Sequence, residues 1–240
     1  MAVTQLAPED VMGAALRQRG RLPLEVERSD GHFSRCDLGW WLRDPAAESP
    51  RDTEALEWVR QGPVLDVGCA TGRHVEALRA RDIDTIGIDT CTAAVQLAIA
   101  AGQPCRVDDA WRVPAGVGYA TVIALGGNLG IAGTMHQLQR FLAVLSAAVR
   151  PGGFMVVSSI DWRVSASQHA AFLEAQRRVG RYPGEVRLRL RCADVASNWF
   201  DWLWVDRDTL RSAAADVGLL IRDELVWRHH YAACLQKGES

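Results

Sequence analysis

The chain has 240 residues, 48% of them hydrophobic, with 27 basic and 29 acidic side chains and a formal net charge of −2. That length suits one large α/β domain with a deep core rather than two domains. The near balance of charge supplies neither the basic footprint of a nucleic-acid binder nor the polybasic stripe of a membrane-surface protein. Six scattered cysteines (Cys36, Cys69, Cys91, Cys105, Cys192 and Cys234) lack the paired short spacings of a disulfide framework or a zinc ribbon. The first ten residues do not read as a secretory signal, and no apolar run reaches spanning length. The expectation is a cytoplasmic protein with free thiols and a small-molecule partner, acting on neither nucleic acid nor membrane.

Residues 11–19 space their apolar side chains as a short amphipathic helix that stops at Gly20. An irregular arm follows, rich in turn residues yet carrying Phe33, Trp40 and Trp41, and aromatics on a loop usually cover something apolar. A second helix over 53–60 leads into a strand at 64–67. From there helices (73–81, 93–101, 135–149) alternate with strands (85–88, 105–107, 120–125, 154–160), which is the signature of βαβ units and a doubly wound parallel sheet. Pro151-Gly152-Gly153 reads as a turn between a helix and a buried strand. Beyond Asp161 the pattern changes. A helix over 168–179 precedes a run at 185–191 that alternates charged and apolar residues, as an antiparallel strand with one wet face does, and that offers an edge for dimer pairing. A tryptophan-rich stretch, a helix over 208–217 and two strands at 219–227 and 231–236 complete the chain. The expected organisation is an N-terminal helix and aromatic arm over 1–52 that covers the site, then a main domain over 53–240 with an inserted cap or dimerisation segment at about 162–206.

The most informative run is Asp66-Val67-Gly68-Cys69-Ala70-Thr71-Gly72-Arg73, followed by Gly87-Ile88-Asp89. A buried strand that breaks into glycine turns and then a helix, with an acid closing the next strand, is how open α/β sheets hold a nucleoside. Small residues let the backbone approach a ligand, and the helix start offers free N–H groups. The spacing Asp-x-Gly-x-Ala-x-Gly is not the Gly-x-Gly-x-x-Gly of dinucleotide enzymes. It resembles motif I of class I S-adenosylmethionine-dependent methyltransferases. Asp109-Ala110-Trp111, Gly126-Gly127-Asn128-Leu129-Gly130 and Arg150-Pro151-Gly152-Gly153 follow in that family's order, so the likeness covers roughly residues 53–161.

The resemblance implies a mostly parallel seven-stranded sheet with extra antiparallel strands and an N-terminal helical arm. It implies S-adenosylmethionine as cofactor, S-adenosylhomocysteine as product and no metal. Carried over by position, the loop from Gly68 through Ala70 to Gly72 passes under the methionine end, and Asp66 helps to fix its amino group. Asp89, with Thr90 beside it, takes the ribose hydroxyls. Asp109 and the Ala110 N–H meet the adenine, Trp111 lies against the ring, and Gly126 borders the cofactor. Ala70 stands where the family most often has glycine, which is unstrained only if its φ is negative.

Methyl transfer requires a nucleophile in line with the sulfonium C–S bond and, where needed, a base. Acceptor residues therefore come from loops after the fourth and fifth parallel strands and from whatever covers them. Asn128 and Asp161 are the catalytic candidates, set against plain turn and capping roles. Trp40, Trp41 and Trp162, with Asn128, are the candidates for the acceptor pocket, while Trp202 and Trp204 are read as structural. The expected activity is methyl transfer to O, N or C of a small molecule, plausible in secondary metabolism, by a monomer or homodimer. Two alternatives remain: methylation of RNA or protein, and a protein that binds S-adenosylmethionine for another purpose. A nicotinamide dehydrogenase is excluded by the glycine spacing and the absence of a Tyr-x-x-x-Lys pair.

Overall fold

The computed structural model describes residues 4–239. Its centre is a seven-stranded sheet. Strands β4 (Val64–Val67), β5 (Thr85–Asp89), β6 (Cys105–Val107), β7 (Tyr119–Ala124) and β8 (Val149–Ile160) run parallel, and β12 (Leu219–Trp227) and β13 (His230–Lys237) form an antiparallel hairpin against β8. The order is β12-β13-β8-β7-β4-β5-β6. The sequence places these strands because those at the centre are buried on both faces and read as near-continuous apolar runs; all six residues of β7 are buried.

Alternation along β7 divides the core. Val122 and Ala124 join the cluster that includes Phe141 and Leu210, and Ile123 and Leu125 join Leu56 and Leu78 on the other face. Helix α4 (Met135–Ala148) buries Leu138, Phe141, Leu142 and Leu145, an i, i+3, i+4, i+7 stripe, against the first of these faces. Helices α2 (Arg73–Arg79), α3 (Thr92–Ala100) and α6 (Arg207–Asp216) supply the other crossovers. The Pro151-Gly152-Gly153 segment is taken into the start of β8, with a register break against β7 between Tyr119 and Thr121.

A second sheet lies outside this frame and was not anticipated. The expected irregular arm contains β2 (Leu24–Arg28) and β3 (Phe33–Cys36), which pair with each other, and β2 pairs with β9 (Glu185–Cys192). Strands β10 (Val195–Ser197) and β11 (Phe200–Leu203) pair with the other side of β9, and β1 (Thr4–Leu6) runs parallel to β10. β9 is therefore interior to the sheet, which corrects its reading as a free edge for dimer pairing. The expected alternation holds, with Val186, Leu188, Leu190 and Cys192 buried and Arg187 exposed, but Arg189 and Arg191 are half-buried and donate to the buried Glu27 of β2 at 2.6 Å and 2.9 Å. The arm and the inserted segment, separate in sequence, thus make one sheet. Residues 51–58 form a 3-10 helix rather than an α-helix, and α5 (Ala170–Arg178), which buries Leu173, lies between β8 and β9.

Helix α1 (Pro8–Arg17) joins the two sheets. Val11, Ala15 and Leu16 pack in one cluster with Leu24 and Leu190 of the second sheet and with Ala93 and Ala94 of α3. Each buried valine or leucine of this cluster contributes about 1.5–3 kcal/mol. On the far side, the indole of Trp202 in β11 lies directly on Gly130, where a Cβ would run into the ring. Gly130→Ala is expected to lower stability in urea unfolding followed by circular dichroism by about 1–3 kcal/mol through overpacking. The double variant with Trp202→Leu should recover part of that loss. A Gly130→Ala protein as stable as wild type would show that the two sheets are not in contact there.

Candidate functional site

The carboxyl ends of β4, β5 and β7 open into a cavity of about 500 Å³, within the range of about 300–1,000 Å³ that suits small-molecule sites. The second sheet and α1 roof it with Met12, Leu16, Val26, Leu188, Leu190 and Trp202. The arm is tied down over the glycine turn by two bonds to Thr71: its hydroxyl donates to the Trp41 carbonyl at 2.6 Å, and Arg43 Nη2 donates to the Thr71 carbonyl at 2.8 Å.

Of the residues proposed for a cofactor, Gly68, Ala70, Asp89, Thr90, Asp109, Ala110 and Gly126 border this cavity. The Asp89 carboxylate closes β5 and accepts from the Ala70 N–H at 2.8 Å through Oδ2 and from the Cys91 N–H at 2.7 Å through Oδ1. Burial pushes the Asp89 carboxyl above its ordinary range, against the opposing effect of those two N–H donors. Ala70 has φ +45°, so the condition for an unstrained loop is not met. Left-handed backbone costs a Cβ-bearing residue about 1–2 kcal/mol, and the bond to Asp89 holds the residue there.

Three of the proposed cofactor residues stand back from the cavity wall. Asp66 is fully buried beneath the loop with neither carboxylate oxygen hydrogen-bonded; its neighbour is His74, whose Nδ1 lies 3.7 Å from Oδ2. Burial lowers the His74 pKa, but the Asp66 carboxylate beside it and the charge of Asp52 outweigh that and raise it overall. Gly72 has φ +75°, and a Cβ there would meet Ala98, Cys105 and Gln103 at 3.1–3.2 Å, so it serves the packing of α2 on α3. Trp111 packs against Phe141 with ring centroids 5.0 Å apart, on the core side of its turn, while its N–H is capped by Asp109.

The acceptor candidates divide in the same way. Trp40, Trp41 and Asn128 border the cavity. Asn128 Nδ2 spends both hydrogens on the Val67 and Gly68 carbonyls, at 2.9 Å and 3.1 Å, so its amide braces the glycine turn. Asp161 and Trp162 do not reach the cavity. Asp161 receives a two-point contact from Arg163, at 2.9 Å and 2.8 Å; burial would raise its pKa, but Arg163 holds it below the ordinary carboxylate range. Trp162 donates to the Tyr182 hydroxyl at 2.9 Å. Trp202, expected to be only structural, is a cavity wall residue. Among the wall residues that sequence reasoning missed are Asp52 and His74.

These features fit a nucleoside bearing an amino acid tail. The glycine turn gives backbone at close range, the Asp89 carboxylate keeps lone pairs for hydroxyls beyond its two backbone bonds, and buried polar atoms of Asp66 behind the turn and of His74 in the cavity wall lack partners. Glycine at position 70 would relieve the left-handed strain but add freedom to the unfolded chain. Ala70→Gly is therefore expected to raise unfolding stability by about 0.5–1 kcal/mol, measured by chemical denaturation. A loss of stability would mean that the loop depends on the methyl group.

Comparison with known proteins agrees with this geometry. Residues 65–157 match the family described as methyltransferase domain. A SAM-dependent methyltransferase from Bacteroides fragilis, solved with S-adenosyl-L-homocysteine, superposes with a TM-score of 0.80 over 98% of both chains at 24% identity. Among curated proteins, the ribosomal protein L11 methyltransferase of Cupriavidus metallidurans is 31% identical over 131 residues, 51% of this chain and 41% of that protein. The ubiquinone biosynthesis O-methyltransferase of Sinorhizobium medicae is 28% identical over 145 residues, 55% of each chain. The chain thus spans about half the length of the curated relatives it matches. Residues 65–157 thus resemble a methyltransferase domain, and the chain has the fold of the class I S-adenosylmethionine-dependent methyltransferases.

Proposed function

We propose that the protein transfers a methyl group from S-adenosylmethionine to a small molecule held between the glycine turn and the second sheet. The observation that carries this reading is the roof: a macromolecular substrate needs an open approach to the reacting carbon, whereas here a sheet of apolar side chains covers the strand ends. Asp89 and Thr90 would hold the ribose, Asp109 and Ala110 the adenine, and the backbone at 68–70 the methionine end. The bound sulfonium supplies an already activated methyl carbon. The chain's own contribution is to fix the acceptor in line with that carbon, exclude water and accept a proton. Asn128 acts indirectly in this reading by keeping the turn in shape.

Calorimetric titration with S-adenosylhomocysteine, with NAD as control, tests the cofactor. Micromolar binding of the first and none of the second is expected, and the reverse preference would overturn the reading. Ribose hydroxyls donate to the ionised form of Asp89, and burial has raised the pKa of that group in the free protein. Affinity should therefore be full above the raised pKa and fall as pH is lowered through it. Asp89→Ala should weaken binding more than tenfold, roughly the loss of hydrogen bonds to a charged group. Asp89→Asn should abolish the acid limb; an unchanged pH profile in that variant would place the ribose elsewhere.

A further inference from the structure

Asp52 is a carboxylate in the polar run that precedes the first core strand, and it sits where the acceptor must go. Its 3-10 helix (Arg51–Trp58) carries it to the ends of β7 and β8, where Oδ2 accepts from the Gly126 N–H at 2.5 Å and from the Ser158 hydroxyl at 2.9 Å. The residue is 4% exposed and borders the cavity, and Oδ1 is buried without any hydrogen-bond partner. A buried carboxylate fixed through one oxygen, with the other left for a donor, is arranged for a ligand that brings that donor.

The charge of the walls selects the ligand. Glu9, Asp89, Asp108 and Asp109 also border the cavity, and among the described residues no arginine or lysine does. His74 is the wall side chain able to carry positive charge, and its charge is matched by Asp66 at 3.7 Å. The cationic sulfonium of the proposed cofactor answers part of this excess, and an anionic acceptor would meet repulsion. The apolar wall adjoins the same turn: Trp202 rests on Gly130, and Ile131 follows it, on the loop whose Gly126 N–H is held by Asp52.

Resting on the methyltransferase reading, we propose that the acceptor is an amine carried on an apolar or aromatic body, and that Asp52 binds its nitrogen through Oδ1 and takes its proton. The nitrogen lone pair forms the new bond to the methyl carbon, and the C–S bond breaks with its electron pair passing to sulfur, which becomes a neutral thioether. Before that attack an amine that arrives as its ammonium ion, which has no free lone pair, passes one N–H proton to Asp52 Oδ1, and the methylated nitrogen leaves as the N-methylammonium ion. The Gly126 N–H and the Ser158 hydroxyl hold the carboxylate in place for this transfer.

The test is calorimetry on the wild-type protein saturated with S-adenosylhomocysteine, titrated with phenethylamine, 2-phenylethanol and 3-phenylpropanoate, three probes of similar size. The amine is expected to bind at least tenfold more tightly than either of the others. Asp52→Asn, which keeps the shape of the side chain, should lose at least tenfold in amine affinity while its melting temperature and its affinity for S-adenosylhomocysteine stay as in wild type. Equal or better binding of the alcohol or the acid, or binding of none of the three, overturns the proposal from wild-type data alone, even if the variant fails to fold. A variant that loses S-adenosylhomocysteine affinity would assign Asp52 to the cofactor's ammonium group and also overturn it. Failure of wild type to bind S-adenosylhomocysteine is a separate result, and it removes the methyltransferase reading itself.

Discussion

The carboxylate of Asp89 joins the two loops from which the cavity is made. One oxygen holds the Ala70 N–H in the turn after β4, and the other holds the N–H of Cys91, the residue that caps α3. Neither loop has a regular partner for those donors, and a buried N–H left without an acceptor is costly. Both therefore depend on a single side chain at the end of β5. The left-handed backbone of Ala70 follows from the same bond: the turn must present its N–H to Asp89, and the residue accepts an unfavourable φ to do so. Asn128 completes the brace from the β7 side by donating to the carbonyls of Val67 and Gly68. The floor of the site is thus rigid before any ligand arrives, which lowers the ordering that binding must impose.

The roof is held by different means. Its two halves meet at β2 and β9, where Glu27 receives hydrogen bonds from Arg189 and Arg191 across the strand pair. Glu27 is 8% exposed, so losing both arginines would leave its carboxylate with little hydration, whereas the arginines, 24% and 31% exposed, would keep water without it. Helix α1 then fastens this sheet to α3. Gly13 permits the close approach, since a Cβ there would stand 3.1 Å from the Ala93 Cβ.

The parallel sheet was legible because its central strands are buried on both faces, and burial of that kind writes apolar runs such as Val64-Leu65 and Val122-Ile123-Ala124-Leu125. The second sheet was not, because its strands are short and half charged. Leu24-Glu25-Val26-Glu27-Arg28 reads as solvated chain until Arg189 and Arg191 are placed beside it, and the same arginines made β9 look like a wet edge. The glycine turn and Asp89 were found through motif order, but the sign of φ at Ala70 is set by a tertiary hydrogen bond and leaves no mark in the sequence. Asp52 was missed for a related reason. It stands in the polar stretch Glu48-Ser49-Pro50-Arg51-Asp52, and only the fold delivers it to Gly126 and Ser158. Asp161 shows the converse: its place after β8 matched expectation, but Arg163 two residues on had already claimed it.

The pairing of the roof has a consequence for the order in which the molecule assembles. Thr4 aligns with Val195, and Glu25 with Arg191, so β1 has no partner, and β2 only β3, until β9 and β10 have left the ribosome. The parallel strands around the glycine turn are much closer together in sequence and can associate earlier, whereas closure of the roof must bring together the most distant segments of the chain. Until then the faces of α1 and β2 that meet β9 remain uncovered, which exposes the N-terminal segment to misassociation during synthesis.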